Sequence, residues 1–169
     1  MAIYTKRGDR GETSLYDPRN SQYIRISKDS LKIAAIGATD ELNSFLGIIG
    51  NLSFIQKDLF TINSILAGAH LRFPTSKTKK LERQLDKFEG SLPVLKNFII
   101  YGGGKEGSFL FFARALSRRC ERAVVKLSKF EEIKPEILTY LNRLSDFLFM
   151  LARDSNYKEG IKEEVWKKS

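Results

Sequence analysis

Pro135-Glu136-Ile137-Leu138-Thr139-Tyr140-Leu141-Asn142-Arg143-Leu144-Ser145-Asp146-Phe147-Leu148-Phe149-Met150-Leu151 is the stretch that decides the fold. Ile137, Leu141, Leu144, Leu148 and Leu151 recur in alternating steps of four and three. That spacing lines them along one side of a helix, a heptad-like seam for packing on other helices. Pro135 suits the first turn of such a helix, where its missing N–H leaves nothing unsatisfied.

The same periodicity extends upstream. A long helix is expected from about Gly107 to Lys129, apolar around much of its circumference through Phe109, Leu110, Phe111, Phe112, Leu116, Val124 and Val125. From about Ser30, Ile33, Ile36, Leu42, Phe45, Leu46 and Ile49 recur at threes and fours until Gly50-Asn51. A second run carries Ile55, Leu59, Ile62, Ile65, Leu66 and Ala69, closed by Pro74. Residues 77–89 form a short charged helix with Leu81, Leu85 and Phe88, broken by Gly90 and Pro93. Phe98-Ile99-Ile100-Tyr101 is a short apolar run leading into Gly102-Gly103-Gly104. Residues 1–28 read as a loop-rich arm, and 155–169 as a polar tail that frays, with Trp166 able to anchor it. There is no repeat and no linker. The expectation is one domain over 1–169, an all-α helical bundle.

Bulk properties narrow the function less. A chain of 169 residues, 42% hydrophobic and 29% charged, is an ordinary globular protein with room for a core. Lys and Arg outnumber Asp and Glu by 29 to 20, a formal net charge of +9. That balance suits a nucleic acid, an anionic membrane surface or a polyphosphate, and does not choose among them. The single cysteine, Cys120, excludes an intrachain disulfide, and with the single histidine, His70, cannot build a Cys/His metal site. No apolar run approaches the ~20 residues that span a bilayer, and the first residues lack the apolar core of a signal peptide. A cytoplasmic protein with no membrane partner is expected.

Four stretches have the residue types for chemistry. Thr5-Lys6-Arg7-Gly8-Asp9-Arg10-Gly11-Glu12-Thr13-Ser14 combines two glycines with three cations and hydroxyls, a set suited to phosphate oxygens. By composition alone a polar, disordered terminus is the favoured reading, the commoner fate of terminal residues. Asp40, Asn43, Ser44 and Gly47 share one helical face, although all are poor helix formers. Such a local conflict marks either a functional face or a solvated one. Arg114, Arg118 and Arg122 stand four apart with Arg119 and Glu121 beside them. Like charges at that spacing repel, so they need a polyanion or carboxylates from another helix; otherwise they are a solvated basic face. In Tyr140–Asp146, Arg143 reaches Asp146, which by itself is surface pairing.

Gly102, Gly104 and Gly107 satisfy G-x-G-x-x-G, but no second parallel strand follows the helix they open, so a dinucleotide fold is rejected. Ser108 stands where a P-loop needs its lysine. Cys120, between arginines, is either a thiol of lowered pKa or a small packed residue.

Six motifs in order resemble the ATP:cob(I)alamin adenosyltransferases of the propanediol-utilisation type. They are Tyr-Thr-Lys-x-Gly-Asp-x-Gly at 4–11, Arg-x-Ser-Lys-Asp at 25–29, Gly-x-x-Asp-Glu-Leu-Asn-Ser at 37–44, Phe-Ile-x-x-Gly-Gly at 98–103, Ala-Arg-x-x-x-Arg-Arg-x-Glu-Arg at 113–122 and Tyr-Leu-Asn-Arg-Leu-Ser-Asp at 140–146. The resemblance runs from Tyr4 to about Arg153. It implies a ferritin-like five-helix bundle forming a homotrimer with active sites between subunits. It implies transfer of the 5′-deoxyadenosyl group of ATP to cob(I)alamin, with Mg²⁺, and a corrinoid reductase as a candidate partner. By the same resemblance Thr5, Lys6, Arg7, Gly8, Thr13, Ser14 and Lys28 wrap the triphosphate. Arg118, Arg119, Glu121, Arg122 and Asn142 hold the nucleotide, with Arg118 stabilising charge. Asp40 pairs with Arg114 across the subunit interface, and Phe98 lies under the corrin.

The chain departs from the family pattern at Arg10 (usually Lys), Ala38 (often Glu or Thr), Tyr101 (usually Pro) and Phe111 (commonly His). A third glycine, Gly104, is expected to loosen its turn, and Phe111 to make its surface more apolar. The rival readings are a basic helical module on nucleic acid and a kinase-like phosphotransferase; the first leaves Asp40–Asn43 unexplained and the second lacks a P-loop.

Overall fold

The computed structural model describes residues 4, 6–17 and 20–167. It contains a small hairpin followed by five helices: β1 (Glu12–Asp17), β2 (Gln22–Ser27), α1 (Leu31–Ile49), α2 (Ser53–Leu66), α3 (Ser76–Ser91), α4 (Lys105–Leu127) and α5 (Pro135–Lys158). α4 packs between α1 and α5; α1 also lies on α2, and α5 on α3. The packing order is therefore α2, α1, α4, α5, α3.

Local chemistry sets the ends. Ser30 caps α1 by accepting the Ile33 N–H at 3.4 Å. Gly50, at φ 79°, stops the same helix and returns its N–H to the Leu46 carbonyl at 3.1 Å. Pro135 opens α5 as expected. The α5 seam is dry: Ile137, Leu141, Leu144 and Leu148 are fully buried, facing a core that includes Leu42, Leu46, Ile55, Leu59, Leu110 and Val124. Edge-to-face contacts of Phe54 with Phe147 and of Phe73 with Tyr140 add to it.

One polar network crosses this core. The Tyr140 hydroxyl donates to the Asp58 Oδ2 at 3.0 Å, and the Lys77 ammonium pairs with the other carboxylate oxygen. It joins α5, α2 and α3. Burial, reinforced by the Asp58 charge, pushes the phenol far above its ordinary pKa, so it stays a donor.

Two expectations change. The arm is not irregular throughout, since β1 and β2 pair antiparallel with Ser14 opposite Arg25. In β1 the residues Thr13, Leu15 and Asp17 are half-buried and their neighbours exposed, a period of two too brief to stand out in the sequence. The tail does not fray. α5 continues to Lys158 with Ser155 and Asn156 buried. Gly160 turns the chain at φ 70°, and Val165 then bridges to Ile99. The Ile100 N–H donates to the Glu164 carbonyl, and the Trp166 N–H to the Phe98 carbonyl, both at 2.8 Å.

The Asp58 network gives a stability prediction. Tyr140→Phe keeps the ring and removes the donor to a charged acceptor. Urea unfolding should show a loss of about 1.5–3 kcal/mol with the fold retained; an unchanged midpoint would mean that the bond contributes nothing.

Candidate functional site

The arm is organised by two cations. Lys28 donates to the Gly8 carbonyl at 2.9 Å. A Cβ on Gly8 would stand 3.1 Å from that ammonium, a tight contact that the lysine would have to yield to. Arg25 donates to the Arg7 carbonyl at 2.6 Å, to Ser14 Oγ at 3.1 Å and to Glu12 at 3.3 Å. The turn before β1 closes through the Gly11 N–H on the Gly8 carbonyl, 3.2 Å, and the Lys28 N–H on the Gly11 carbonyl, 2.8 Å. Lys6 and Arg7 are exposed, and Thr13 is half-buried. Thr5 lies outside the described residues.

The second element is the outer face of α4 and α5. Asn142 donates to Glu121 at 2.9 Å, bridging the two helices. Arg119 pairs with Glu41 on α1. Arg114 is half-buried, its guanidinium 5.0 Å from the Tyr101 ring centre and 5.4 Å from that of Phe149. Arg118 and Arg122 are exposed and make no hydrogen bond or ion pair among the described residues. Two guanidinium groups one turn apart repel each other, and the nearest carboxylate in sequence, Glu121, is engaged by Asn142. Asp40 is also exposed and without an ion pair among the described residues, so it does not meet Arg114 within one chain.

The third element is apolar. Phe98 is 78% exposed and Trp166 52% exposed, and both line a groove of about 780 Å³ with Leu95, Lys96, Asn97, Val165 and Lys167. Behind them, the Asn156 amide donates to the Gly102 carbonyl at 2.8 Å and accepts the Gly104 N–H at 3.0 Å. A Cβ on Gly103, which sits at φ 106°, would stand 2.5 Å from that amide, and one on Gly107 would also strike it. The glycine turn is therefore gripped, contrary to the expectation that Gly104 loosens it. Phe111 is buried and stacked on Tyr101, 5.0 Å between centres, and so does not enlarge an apolar surface. Asn43 is buried as well, turned away from exposed Asp40, Ser44 and Gly47.

The cobalamin adenosyltransferase family model matches residues 3–155. This chain belongs to that family. The Bacillus subtilis corrinoid adenosyltransferase is 38% identical over 187 aligned positions, covering 100% of this chain and 94% of that protein. Human corrinoid adenosyltransferase MMAB is 38% identical, covering 99% of this chain and 74% of its own length. A variant PduO-type ATP:corrinoid adenosyltransferase from Lactobacillus reuteri, solved with cobalamin and ATP, superposes with a TM-score of 0.90 at 32% identity, over 99% of this chain and 100% of that one.

In this cobalamin adenosyltransferase the arm, the cationic face and the apolar groove are built from different segments: 6–28, α4 with α5, and 95–98 with 165–167. No hydrogen bond or ion pair among the described residues joins the arm to Arg118, Glu121, Arg122 or Asn142. Reading the sequence for site residues misses Arg25, Asn156 and Trp166. For Arg25 the signal is its place at the head of the Arg-x-Ser-Lys-Asp motif, while its pairing opposite Ser14 lies in a hairpin too short to recognise. For Trp166 it is a lone tryptophan beside Val165 in a polar stretch.

Cys120 leaves the candidate list. It is fully buried, 3.2 Å from Thr39 Oγ1, and burial pushes its pKa up to about 11 despite that contact. The thiol therefore stays neutral at pH 8. In the native protein it should react with a thiol reagent at that pH on the order of 10²-fold more slowly than a free cysteine, by thiolate fraction alone. Labelling at the free-cysteine rate would contradict this.

Proposed function

We propose that the chain transfers the 5′-deoxyadenosyl group of ATP to the cobalt of cob(I)alamin or a related corrinoid. The Co(I) electron pair attacks the 5′ carbon and forms the cobalt–carbon bond. The C5′–O bond breaks, and triphosphate leaves with that bonding pair. The observation that carries the assignment of roles is the uncompensated pair Arg118 and Arg122, beside the Glu121–Asn142 bridge.

Charge accumulates on the leaving triphosphate, so fixed cations aimed at it lower the barrier. Arg118 is the residue for that role, with Arg122 one turn away and Glu121 and Asn142 orienting the nucleoside. The arm would supply the remaining phosphate contacts through Lys6, Arg7, Gly8, Thr13, Ser14 and Lys28, with Thr5 assigned by resemblance. Arg25 holds that arm in shape. Arg119, already paired with Glu41, has a supporting place at most.

Mg²⁺ is part of this reading, carried by the nucleotide. No group of three or more His, Cys, Asp or Glu side chains gathers to hold a metal among the described residues. Mg²⁺ in nucleotide sites is commonly bound through substrate phosphates with one or two carboxylates. It would neutralise phosphate charge.

The corrin would lie against Phe98. An aromatic ring under the macrocycle excludes a lower axial ligand, which eases reduction to Co(I). A homotrimer would bring the arm of one subunit to the cationic face of another and give Asp40 its Arg114. The exposed Ile48 and Phe112 on the α1/α4 face support burial against a second copy. The setting is the cytoplasm, where a reductase would supply Co(I).

Arg118→Ala should lower kcat by about 10²–10³-fold, the loss seen when one charge-stabilising donor is removed, with thermal stability unchanged. Near-normal kcat would remove that role. Light scattering should give the mass of three chains, and a monomer would contradict the intersubunit site.

A further inference from the structure

The strap formed by residues 159–167 is held by an unusual fastener. Arg153 of α5 is only 4% exposed. Its Nε donates to Glu163 Oε1 at 2.5 Å, and its Nη2 to Glu163 Oε2 at 3.1 Å and to the Pro93 carbonyl at 2.8 Å. One guanidinium thus joins α5, the strap and the segment after α3. Behind the strap lies a cavity of about 290 Å³, bounded by Leu92, Pro93, Arg153, Tyr157, Ile161 and Glu163. Dense packing does not hold the strap in place there.

Here the guanidinium is buried and the Glu163 carboxylate half-buried. An ion pair taken out of water adds little net stability compared with apolar residues of the same size, and its best-attested use is to select one register among several. The register here has a visible result. With Glu163 on Arg153, Val165 falls opposite Ile99 and the Trp166 N–H meets the Phe98 carbonyl. Phe98 and Trp166 then form two sides of one groove. A slip of one residue would turn Trp166 to the opposite face. Asn156, three residues beyond Arg153, grips the other end of the 98–104 segment through Gly102 and Gly104.

We propose that Arg153 and Glu163 are a positioning pair for the corrinoid site: by fixing the strap's register they set Trp166 beside Phe98 as one apolar wall for the corrin. The proposal rests on the adenosyl-transfer reading. It makes no claim on ATP, whose proposed contacts lie on the arm, on α4 and at Asn142, about three turns before Arg153 on α5, so the pair's effect should be selective for one substrate.

The test uses the full chain carrying Glu163→Gln, which keeps the size and removes the charge. Initial rates are measured with chemically reduced cob(I)alamin and ATP, each varied in turn. Emission of Trp166, the only tryptophan, reports the strap. The expected result is a rise of about tenfold in KM for cob(I)alamin, KM for ATP within about twofold, and a red shift of the emission. Trp166→Ala, at an exposed position that does not threaten folding, should give the same corrinoid-selective rise. A corrinoid KM unchanged in either variant overturns the proposal, as does an equal rise in both KM values, which is the mark of a merely structural pair. Failure of the unaltered chain to form adenosylcobalamin is a different outcome, since it removes the reading beneath the proposal.

Discussion

The packing of α4 on α5 is the constraint on which the rest depends. Leu110, Leu116, Cys120 and Val124 of α4 and Ile137, Leu141, Leu144 and Leu148 of α5 are all buried in one core. A helix that commits one side to a dry seam must expose the other, and the spacing of the seam decides which residues those are. On α4 they are Arg118 and Arg122, and on α5 Asn142. The Glu121–Asn142 bond spans the pair at its outer edge. The cationic face is thus a geometric consequence of the core, held rigid by helices on which a charge site can be preorganised.

Electrostatics and apolar burial are kept apart along this frame. Arg118 and Arg122 repel one another in the free chain, and an anion relieves that repulsion. The far end of α5 does different work. Through Arg153 and Asn156 it shapes the groove at Phe98, the wall proposed for the corrin. Cob(I)alamin and triphosphate place opposite demands on their surroundings, one wanting an aromatic wall and the other fixed positive charge.

Much of the fold was legible because long helices repeat their signal. Five alternating positions from Ile137 to Leu151 suffice to place α5, and Pro135 marks its start. The hairpin was not legible, since six residues of alternation cannot be told from loop. The end of α5 was misjudged because Arg153, Asp154, Ser155 and Asn156 look solvent-facing by type, yet all four are buried. Their partners, Glu163, Lys158, Glu106 and the glycine turn, are set by the fold, and no local pattern announces them. In the site, periodicity brings Arg114, Arg118 and Arg122 onto one stripe. It does not say that Arg114 lies on the Tyr101 and Phe149 rings while the other two make no hydrogen bond or ion pair among the described residues. The roles of Lys6, Arg7 and Ser14 came from resemblance, because a polar terminus carries no periodicity to read.

The most direct measurement follows cob(I)alamin and ATP with Mg²⁺ under reducing conditions, with both products quantified. Adenosylcobalamin and triphosphate formed in equal amounts, dependent on the protein, are the predicted result. ADP or AMP in place of triphosphate, or no cobalt–carbon bond formed at all, would contradict the account.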